Sequence, residues 1–274
     1  MEAIIKNILK RVGLYALLHK AYAGYIARKW QREYPKNRLQ IMRNYEQGKN
    51  YLNVGGGLFL VENWRILDYV SREYPYDTEL IDYNINLLEM KPWPIESESF
   101  QLVYTSHAME HLTDEVGRFV FMEVNRILEK NGIFRITVPD IDPVYEAYKR
   151  NDLDFIAENE NSPDKRNIFT HFLGTFSSLD PDAVDRVKFD EEISHRPKED
   201  FLNAYIDKQI DPENHDFSSH VTWYNFDKIK KYGEQAGFSQ VLHSQKENSI
   251  SEEMRKTGFD HKPGKSNIYV DLIK

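Results

Sequence analysis

Short apolar runs alternate with amphipathic segments along two parts of the chain, residues 49–140 and residues 221–274. Apolar runs bounded by glycine, proline or polar turns are typical of buried strands, and apolar positions three and four apart are typical of helices. Strands that alternate with helices predict an α/β fold with a mostly parallel sheet. The predicted strands are Tyr51–Val54, Trp64–Asp68, Thr78–Asp82, Phe100–Thr105, Ile133–Val138, Gln240–Ser244 and Asn267–Ile273.

Two helices carry recognisable end signals. Thr113 stands before an amphipathic segment with acidic residues in its first turn, as an N-cap does, and the helix is predicted to reach about Glu129. Asn131-Gly132 supplies left-handed backbone that would end it. The second helix is predicted at residues 226–235 and ends near Gly237.

Two segments do not follow this alternating pattern. Residues 1–48 are predicted to be helical, with an amphipathic helix over 3–31 and a short one over 37–47. Residues 141–220 are polar and rich in proline, and a stretch of that length is too long for a simple loop. We therefore predict an inserted cap with its own short helices, which covers the acceptor side of the sheet.

Composition and charge exclude several classes of protein. The 274 residues include no cysteine, so disulfides, thiolate metal sites and cysteine nucleophiles are excluded, and a cytoplasmic location is expected. The net charge is -8, which argues against nucleic acid as a partner and favours a small molecule or a glycan. Residues 1–31 differ, because they carry six basic residues against one acidic residue. Their apolar stripe either packs on the protein or makes a peripheral contact with the inner face of an anionic membrane.

A glycine-rich turn follows the first predicted strand. Gly55 and Gly57 allow a sharp turn and a close approach by a ligand, and the polar Asn53 is placed to orient this turn. The glycines fall short of a full dinucleotide fingerprint.

Acidic residues end the next two predicted strands. A carboxylate at Asp68 can accept hydrogen bonds from both hydroxyls of a ribose. Asp82 is suitably placed to bind the amino group of an adenine ring. The connection from Gly57 to Trp64 is too short for a normal helix, so we expect a single turn or an extended crossover there.

Candidate catalytic residues follow the fourth predicted strand. Ligands of open α/β sheets bind outside the carboxyl ends of the strands, so Ser106 is expected to face the cofactor and His107 the acceptor. A histidine near its ordinary pKa can remove a proton from a hydroxyl group at neutral pH. His107 is the first candidate base and His220, which ends the insertion, is the second; Asp140 is a carboxylate alternative, and His111 is expected to pack structurally.

Two further interpretations concern the end of the insertion. His215 and His220 lie among acidic residues, but their spacing does not place them on one helical face, and we expect no metal there. The aromatic pair Trp223-Tyr224 is expected to line an acceptor pocket in which a sugar or a planar substrate stacks.

Several of these segments together resemble a known family. The chain is similar to the type-11 group of class I S-adenosylmethionine (SAM) dependent methyltransferases, in a branch often associated with bacterial surface-glycan pathways. The resemblance covers residues 50–140 well and 220–274 loosely. It implies a Rossmann-like sheet of seven mostly parallel strands with an antiparallel last strand, and a SAM cofactor. The segments that carry it are Leu52–Gly57, Asn63–Asp68, Ser99–Tyr104, Glu110–Leu112 and Arg126–Gly132.

The function expected from sequence is therefore SAM-dependent methylation, of an oxygen on a small molecule or a sugar-linked acceptor. The expected cofactor ligands are Asn53, Gly55, Gly57, Asp68, Asp82 and Ser106. One alternative is another nucleotide-binding enzyme that uses NAD or a nucleotide sugar, for which Tyr145 and Lys149 have the spacing of a Tyr-x-x-x-Lys dyad. A non-catalytic scaffold is the other. The sequence does not identify the acceptor.

Overall fold

The computed structural model describes residues 50–57, 64–70, 81–152, 154–155, 168–206, 217, 219–260 and 266–274. The helices predicted over 3–31 and 37–47 lie outside the described residues. The predicted crossover, at residues 58–63, lies outside them too. The chain divides into two compact units, residues 1–85 and residues 86–274.

In the first unit, three short strands pair in parallel. They are β1 (Tyr51–Val54), β2 (Arg65–Asp68) and β3 (Tyr83–Asn84). The β1–β2 register aligns Val54 with Leu67, and the β2–β3 register aligns Asp68 with Asn84. Parallel strands buried on both faces are apolar throughout, and the side chains of Leu52, Val54 and Leu67 are fully buried.

The second unit contains five described strands. Two of them, at Gln240–Ser244 and Asn267–Ile273, have the bounds that the sequence predicted. The five strands are β4 (Phe100–Ser106), β5 (Leu128–Pro139), β6 (Gln240–Ser244), β7 (Thr257–Asp260) and β8 (Asn267–Ile273). The β4 and β5 strands are parallel, and β8 is antiparallel to both β5 and β6. The sheet has seven strands in the order β3-β2-β1-β4-β5-β8-β6. The predicted α/β sheet, mostly parallel with an antiparallel last strand, is confirmed.

Helix α1 (Asp114–Ile127) begins as predicted and ends earlier than predicted. The Thr113 side chain accepts a hydrogen bond from the amide of Val116, so it is the N-cap. The Asn131-Gly132 pair does not end the helix, because β5 already begins at Leu128. Asn131 instead takes a left-handed conformation inside this strand, with a φ of 64°, where the register against β4 shifts. The predicted left-handed backbone is present at Asn131, but it forms a bulge of β5 and does not end the helix.

Helix α6 (Phe226–Ala236) follows its sequence signals closely. Asn225 caps its first turn through the amide of Lys228, and Gly237 ends it in the left-handed region with a φ of 94°. It packs against α1, where the rings of Phe121 and Tyr232 meet edge to face. The two helices thereby cover part of the β4–β5–β8–β6 surface.

The described part of the insertion consists of short helices around an aromatic core. Phe189 is fully buried and touches Phe172, Phe201 and Tyr205 through ring contacts. Short helices were predicted here, and the buried cluster accounts for their stability because none is long enough to be stable alone. The helices are α2 (Ile141–Lys149), α3 (Ile168–Gly174), α4 (Arg186–His195) and α5 (Lys198–Ala204).

Single 3-10 turns lie at Leu87–Glu89, Met109–His111, Pro181–Ala183 and Glu253–Arg255.

A buried charge cluster holds β5, β7 and β8 together. The Arg135 guanidinium, fully buried, lies 2.6 Å from Asp260 and 2.9 Å from Asp271. Burial disfavours its charged form, but the hydrogen bonds and the charges of the two carboxylates outweigh burial and raise the pKa of Arg135. The apolar run that predicted β5 gave no sign of this partner strand, and β7 was not predicted. Within the described residues, no helix has the length and apolar character needed to cross a membrane.

Candidate active site

The turn after β1 requires each of its three glycines. Gly55 and Gly57 have φ values of 66° and 53°, in the left-handed region that favours glycine. A Cβ at Gly56 would lie 2.7 Å from the Nδ2 atom of Asn53, which is itself buried. Asn53 is therefore packed against the turn that it was predicted to orient.

Asp68 at the end of β2 is bonded directly to this turn. Its Oδ2 atom accepts the amide of Gly57 at 2.6 Å, and its Oδ1 atom accepts the amide of Tyr69 at 2.7 Å. Burial raises the pKa of Asp68 above its ordinary value, although the two amides act in the opposite direction. A carboxylate has about four acceptor positions, and donors among the described residues occupy two of those of Asp68.

Of the third predicted strand, Thr78–Asp82, residues 78–80 lie outside the described residues, and residues 81–82 lie before β3. Asp82 precedes β3 instead of ending it, and its carboxylate accepts the amide of Ile66 at 2.9 Å. Asn84 is the residue level with Asp68 in the β2–β3 register. The strand is only two residues long, so apolar patterning could not locate its end.

His107 follows β4 in a strained backbone conformation. Its φ is 53°, and its amide donates to the carbonyl of Thr137 at 2.9 Å. A non-glycine residue in the left-handed region is uncommon and is often found at functional sites. Ser106, the last residue of β4, immediately precedes it and is half-buried.

Glu110 is a candidate site residue to which the sequence analysis gave no role. It is 1% exposed, and its Oε1 atom lies 3.0 Å from the Nδ1 atom of His107. Burial alone would raise the pKa of Glu110, but the hydrogen bond from His107 and the nearby rings of His111 and His220 lower it to about 2. The signal was its position three residues after His107, which places both side chains on one side of a tight turn.

His220 reaches the same carboxylate from a distant part of the sequence. Its Nε2 atom lies 4.0 Å from the Oε1 atom of Glu110, and its ring meets that of His111 edge to face at 4.9 Å. The backbone at this point is fixed because the amide of Val221 donates to the carbonyl of Glu110 at 2.8 Å. The two predicted catalytic histidines, His107 and His220, therefore converge on one buried carboxylate.

The aromatic residues after His220 do not line an open pocket. Trp223 is 4% exposed and Tyr224 is 1% exposed, so neither ring face is available for stacking on a substrate. Trp223 packs in the core of the insertion and donates to Asn203 at 3.0 Å, and the ammonium group of Lys228 lies 4.0 Å from its ring centre. The prediction of an aromatic acceptor pocket is wrong here, because the two rings are used to seat the insertion on α6.

The Tyr145 and Lys149 pair does not form a dehydrogenase dyad. Tyr145 lies on α2 and is 3% exposed, and its hydroxyl donates to the carbonyl of Ile193 at 3.3 Å. Burial raises its pKa above the ordinary value. The Lys149 ammonium lies over the Tyr145 ring at 5.5 Å. Tyr145 is thus a core residue of the insertion, and a proton-transfer role has no support. His215 and its acidic neighbours lie outside the described residues.

Comparisons with known proteins give matches among solved structures alone. No family model matches the chain, and no curated protein matches it significantly. A protein of Thermotoga maritima, described as a SAM-dependent methyltransferase and possible histamine N-methyltransferase, is 12% identical; the match covers 91% of this chain and 99% of that one with a TM-score of 0.40. A SAM-dependent methyltransferase of Archaeoglobus fulgidus is 12% identical to this chain. The match covers 95% of this chain and 99% of the Archaeoglobus chain, with a TM-score of 0.42.

A third solved structure is described as a putative O-methyltransferase of Nostoc punctiforme. It is 10% identical over 89% of this chain and 57% of its own, with a TM-score of 0.39. Similarity at this level leaves cofactor, acceptor and chemistry to be argued from the residues of this chain.

Proposed function

We propose that this chain is a SAM-dependent methyltransferase that transfers a methyl group to an oxygen atom. The observation that carries the proposal is the turn after β1. Its left-handed glycines, Gly55 and Gly57, are tied to the carboxylate of Asp68 at the end of the next strand. The turn belongs to a seven-stranded sheet with an antiparallel last strand, which is the sheet that the methyltransferase resemblance implies.

The residues of the first unit fit the nucleoside part of this cofactor. Among the described residues, only the amides of Gly57 and Tyr69 donate to Asp68, and its other acceptor positions suit a ribose diol. The glycines remove the side chains that would block a close approach of the ligand to the backbone. Asp82 and Ser106 stay predicted ligands of the adenine and methionine parts. When bound, SAM supplies an electrophilic methyl group on a sulfonium sulfur.

His107 and Glu110 form the pair that would prepare a hydroxyl acceptor. Since the Glu110 carboxylate is ionised, it can only accept a hydrogen bond, so the Nδ1 atom of His107 carries the proton between them. The lone pair of a neutral His107 then lies on Nε2, a buried atom with no hydrogen-bond partner among the described residues. A carboxylate that fixes the tautomer of a histidine is the arrangement that serves general bases elsewhere. It favours a hydroxyl acceptor, since such an acceptor needs its proton removed.

The net charge of the protein indicates the class of methyl acceptor. The net charge of -8 disfavours nucleic acid, and a small molecule or a sugar-linked acceptor suits it better. A lipid-linked glycan would agree with a peripheral membrane contact of residues 1–31 on the cytoplasmic side.

Calorimetry with four ligands tests the cofactor assignment. We expect the full chain to bind SAM and S-adenosylhomocysteine (SAH), and to bind neither NAD nor a nucleotide sugar. Binding of NAD in preference to SAH would overturn the proposal.

Single-turnover kinetics test the assigned base once an acceptor is found. His107→Ala should lower the rate of methyl transfer by about a hundredfold or more while SAH affinity stays unchanged. The matched control is His243→Ala, which removes an exposed histidine on β6. If His107→Ala, the control and the wild type transfer methyl groups at equal rates, His107 is not the general base.

A further inference from the structure

We propose that Glu110, His111 and His220 bind one divalent first-row transition-metal ion. One ligand atom of each side chain lies within 4.8 Å of the others. The sequence alone led us to expect no metal, because His220 was paired there with His215. The fold instead brings His220 next to the turn that contains Glu110 and His111, although 109 positions separate His111 from His220 in the sequence.

The two histidines are oriented as metal ligands usually are. The Nδ1 atom of His111 lies 3.0 Å from the carbonyl oxygen of Ser219, and that of His220 lies 2.9 Å from the carbonyl oxygen of Thr175. A carbonyl can only accept, so each Nδ1 atom carries the proton and each neutral ring has its lone pair on Nε2. Ligating histidines commonly donate their other ring N–H to a backbone carbonyl, which fixes both tautomer and orientation.

Glu110 supplies a carboxylate oxygen that lacks a protein partner. The residue is 1% exposed, and Oε2 has no hydrogen-bond partner in the described part of the chain. Oε1 is the atom that faces His107 at 3.0 Å. A buried carboxylate requires compensation by hydrogen bonds, a charged partner or a metal ion. A cation bound to this carboxylate would provide that compensation.

The separations suit a common ion. Two ligand atoms that are each about 2.1 Å from one ion lie at most about 4.2 Å apart. The Nε2 atom of His220 and the Oε1 atom of Glu110 are 4.0 Å apart, within that limit and too far for a direct hydrogen bond. A contraction of less than about 1 Å would bring all three ligand atoms into range.

The ligand types select the class of ion and leave room for an oxygen ligand. Two imidazoles and one carboxylate favour zinc, iron, cobalt or manganese over magnesium, which prefers oxygen ligands. Three protein ligands leave open coordination positions, as in catalytic sites. We infer that an acceptor hydroxyl takes one of them and is acidified there; this role, unlike binding of the ion, rests on the proposed function.

Cobalt(II) and zinc(II) are the probes for the test. The full chain is stripped with a chelator and titrated with each ion, with cobalt(II) followed by visible absorption and zinc(II) by calorimetry. We expect one ion per chain, and at least about a tenfold loss of affinity in His111→Ala and in His220→Ala. The matched control is His195→Ala, an exposed histidine on α4, which should bind as the wild type does.

Glu110→Gln completes the set, because it keeps the shape of the side chain and removes its charge. Circular dichroism shows whether each variant folds; His220 is 25% exposed, so its variant carries the test if Glu110→Gln does not fold. No binding by the wild type, or equal binding by both histidine variants and the control, would overturn the site. SAH binding is measured separately on the stripped chain, so failure of the metal site and failure of the cofactor assignment are distinguishable.

Discussion

Removing Arg135 should weaken the second unit more than any exposed substitution. Arg135 on β5 donates to Asp260 through two nitrogen atoms, at 2.6 and 3.2 Å, and to Asp271 at 2.9 Å. Asp260 also accepts the hydroxyl of Thr137 at 3.0 Å, and the carbonyl of Thr137 accepts the amide of His107. The cluster therefore supports the strand end that carries the candidate base.

The magnitude follows from what Arg135→Leu leaves behind. Asp260 is 1% exposed and Asp271 is fully buried, so the variant keeps two buried carboxylates without their cation. Breaking a buried ion pair from one side costs about 3–5 kcal/mol. Because two carboxylates lose one shared partner, we expect the upper part of that range, against a total stability of about 5–15 kcal/mol for a domain.

Urea unfolding followed by circular dichroism measures the effect. The matched control is Arg196→Leu, which breaks an exposed pair with Glu192 and should cost less than about 1 kcal/mol. The triple variant Arg135→Leu, Asp260→Asn, Asp271→Asn should regain part of the loss, since no unpaired charge remains buried. A loss below about 1 kcal/mol for Arg135→Leu alone would refute this reasoning.

Three further predictions concern the insertion, the end of β5 and the N-terminal segment. Phe189→Ala should cost about 3–5 kcal/mol, measured by hydrogen exchange across the insertion, whereas Val187→Ala on the exposed side of the same helix should change little. Burial raises the pKa of Asp140 from 3.8 to about 6, because it disfavours the ionised carboxylate. Below pH 3.8 the carboxyl group is protonated in the folded and the unfolded state, and the folded state has no such cost. As pH rises through 6 the buried group ionises, and that part of the free energy of unfolding is lost. Asp140→Asn should therefore be more stable than the wild type at pH 7.5, by about 1–2 kcal/mol after solvent screening, and equal to it near pH 4 in thermal unfolding. Liposome flotation should show that the full chain floats with anionic lipid and that a chain lacking residues 1–31 does not; equal flotation would remove the membrane contact.

Strong local signals located the elements that they describe. Gly237 ended α6 where left-handed backbone was expected, and the apolar runs of β6 and β8 have their predicted bounds. Asn131-Gly132 carried the same kind of signal but lies in a bulge of β5, because pairing with β4 and β8 competes with a helix end. Local sequence reports the backbone conformation, and the partner strands decide what it is used for.

The candidate site was only partly predictable for a related reason. His107 and His220 were chosen from their positions in the chain, but the residue that joins them, Glu110, is defined by a contact across 110 residues. Trp223 and Tyr224 looked like substrate-binding aromatics and are core residues. Sequence patterns do not distinguish an aromatic ring that faces a substrate from one that faces another helix.

The dissociation constant of SAH tests the central claim most directly. It is measured by calorimetry for the wild type, for Asp68→Asn, which keeps an acceptor for the amide of Gly57, and for Glu252→Ala, a control at an acid whose side chain is 93% exposed. Loss of a charge-assisted hydrogen bond is worth about 1.5–3 kcal/mol, so Asp68→Asn should bind SAH at least about tenfold more weakly than the wild type and the control. A folded wild type that does not bind SAH, or an Asp68→Asn variant with unchanged affinity, would contradict the account.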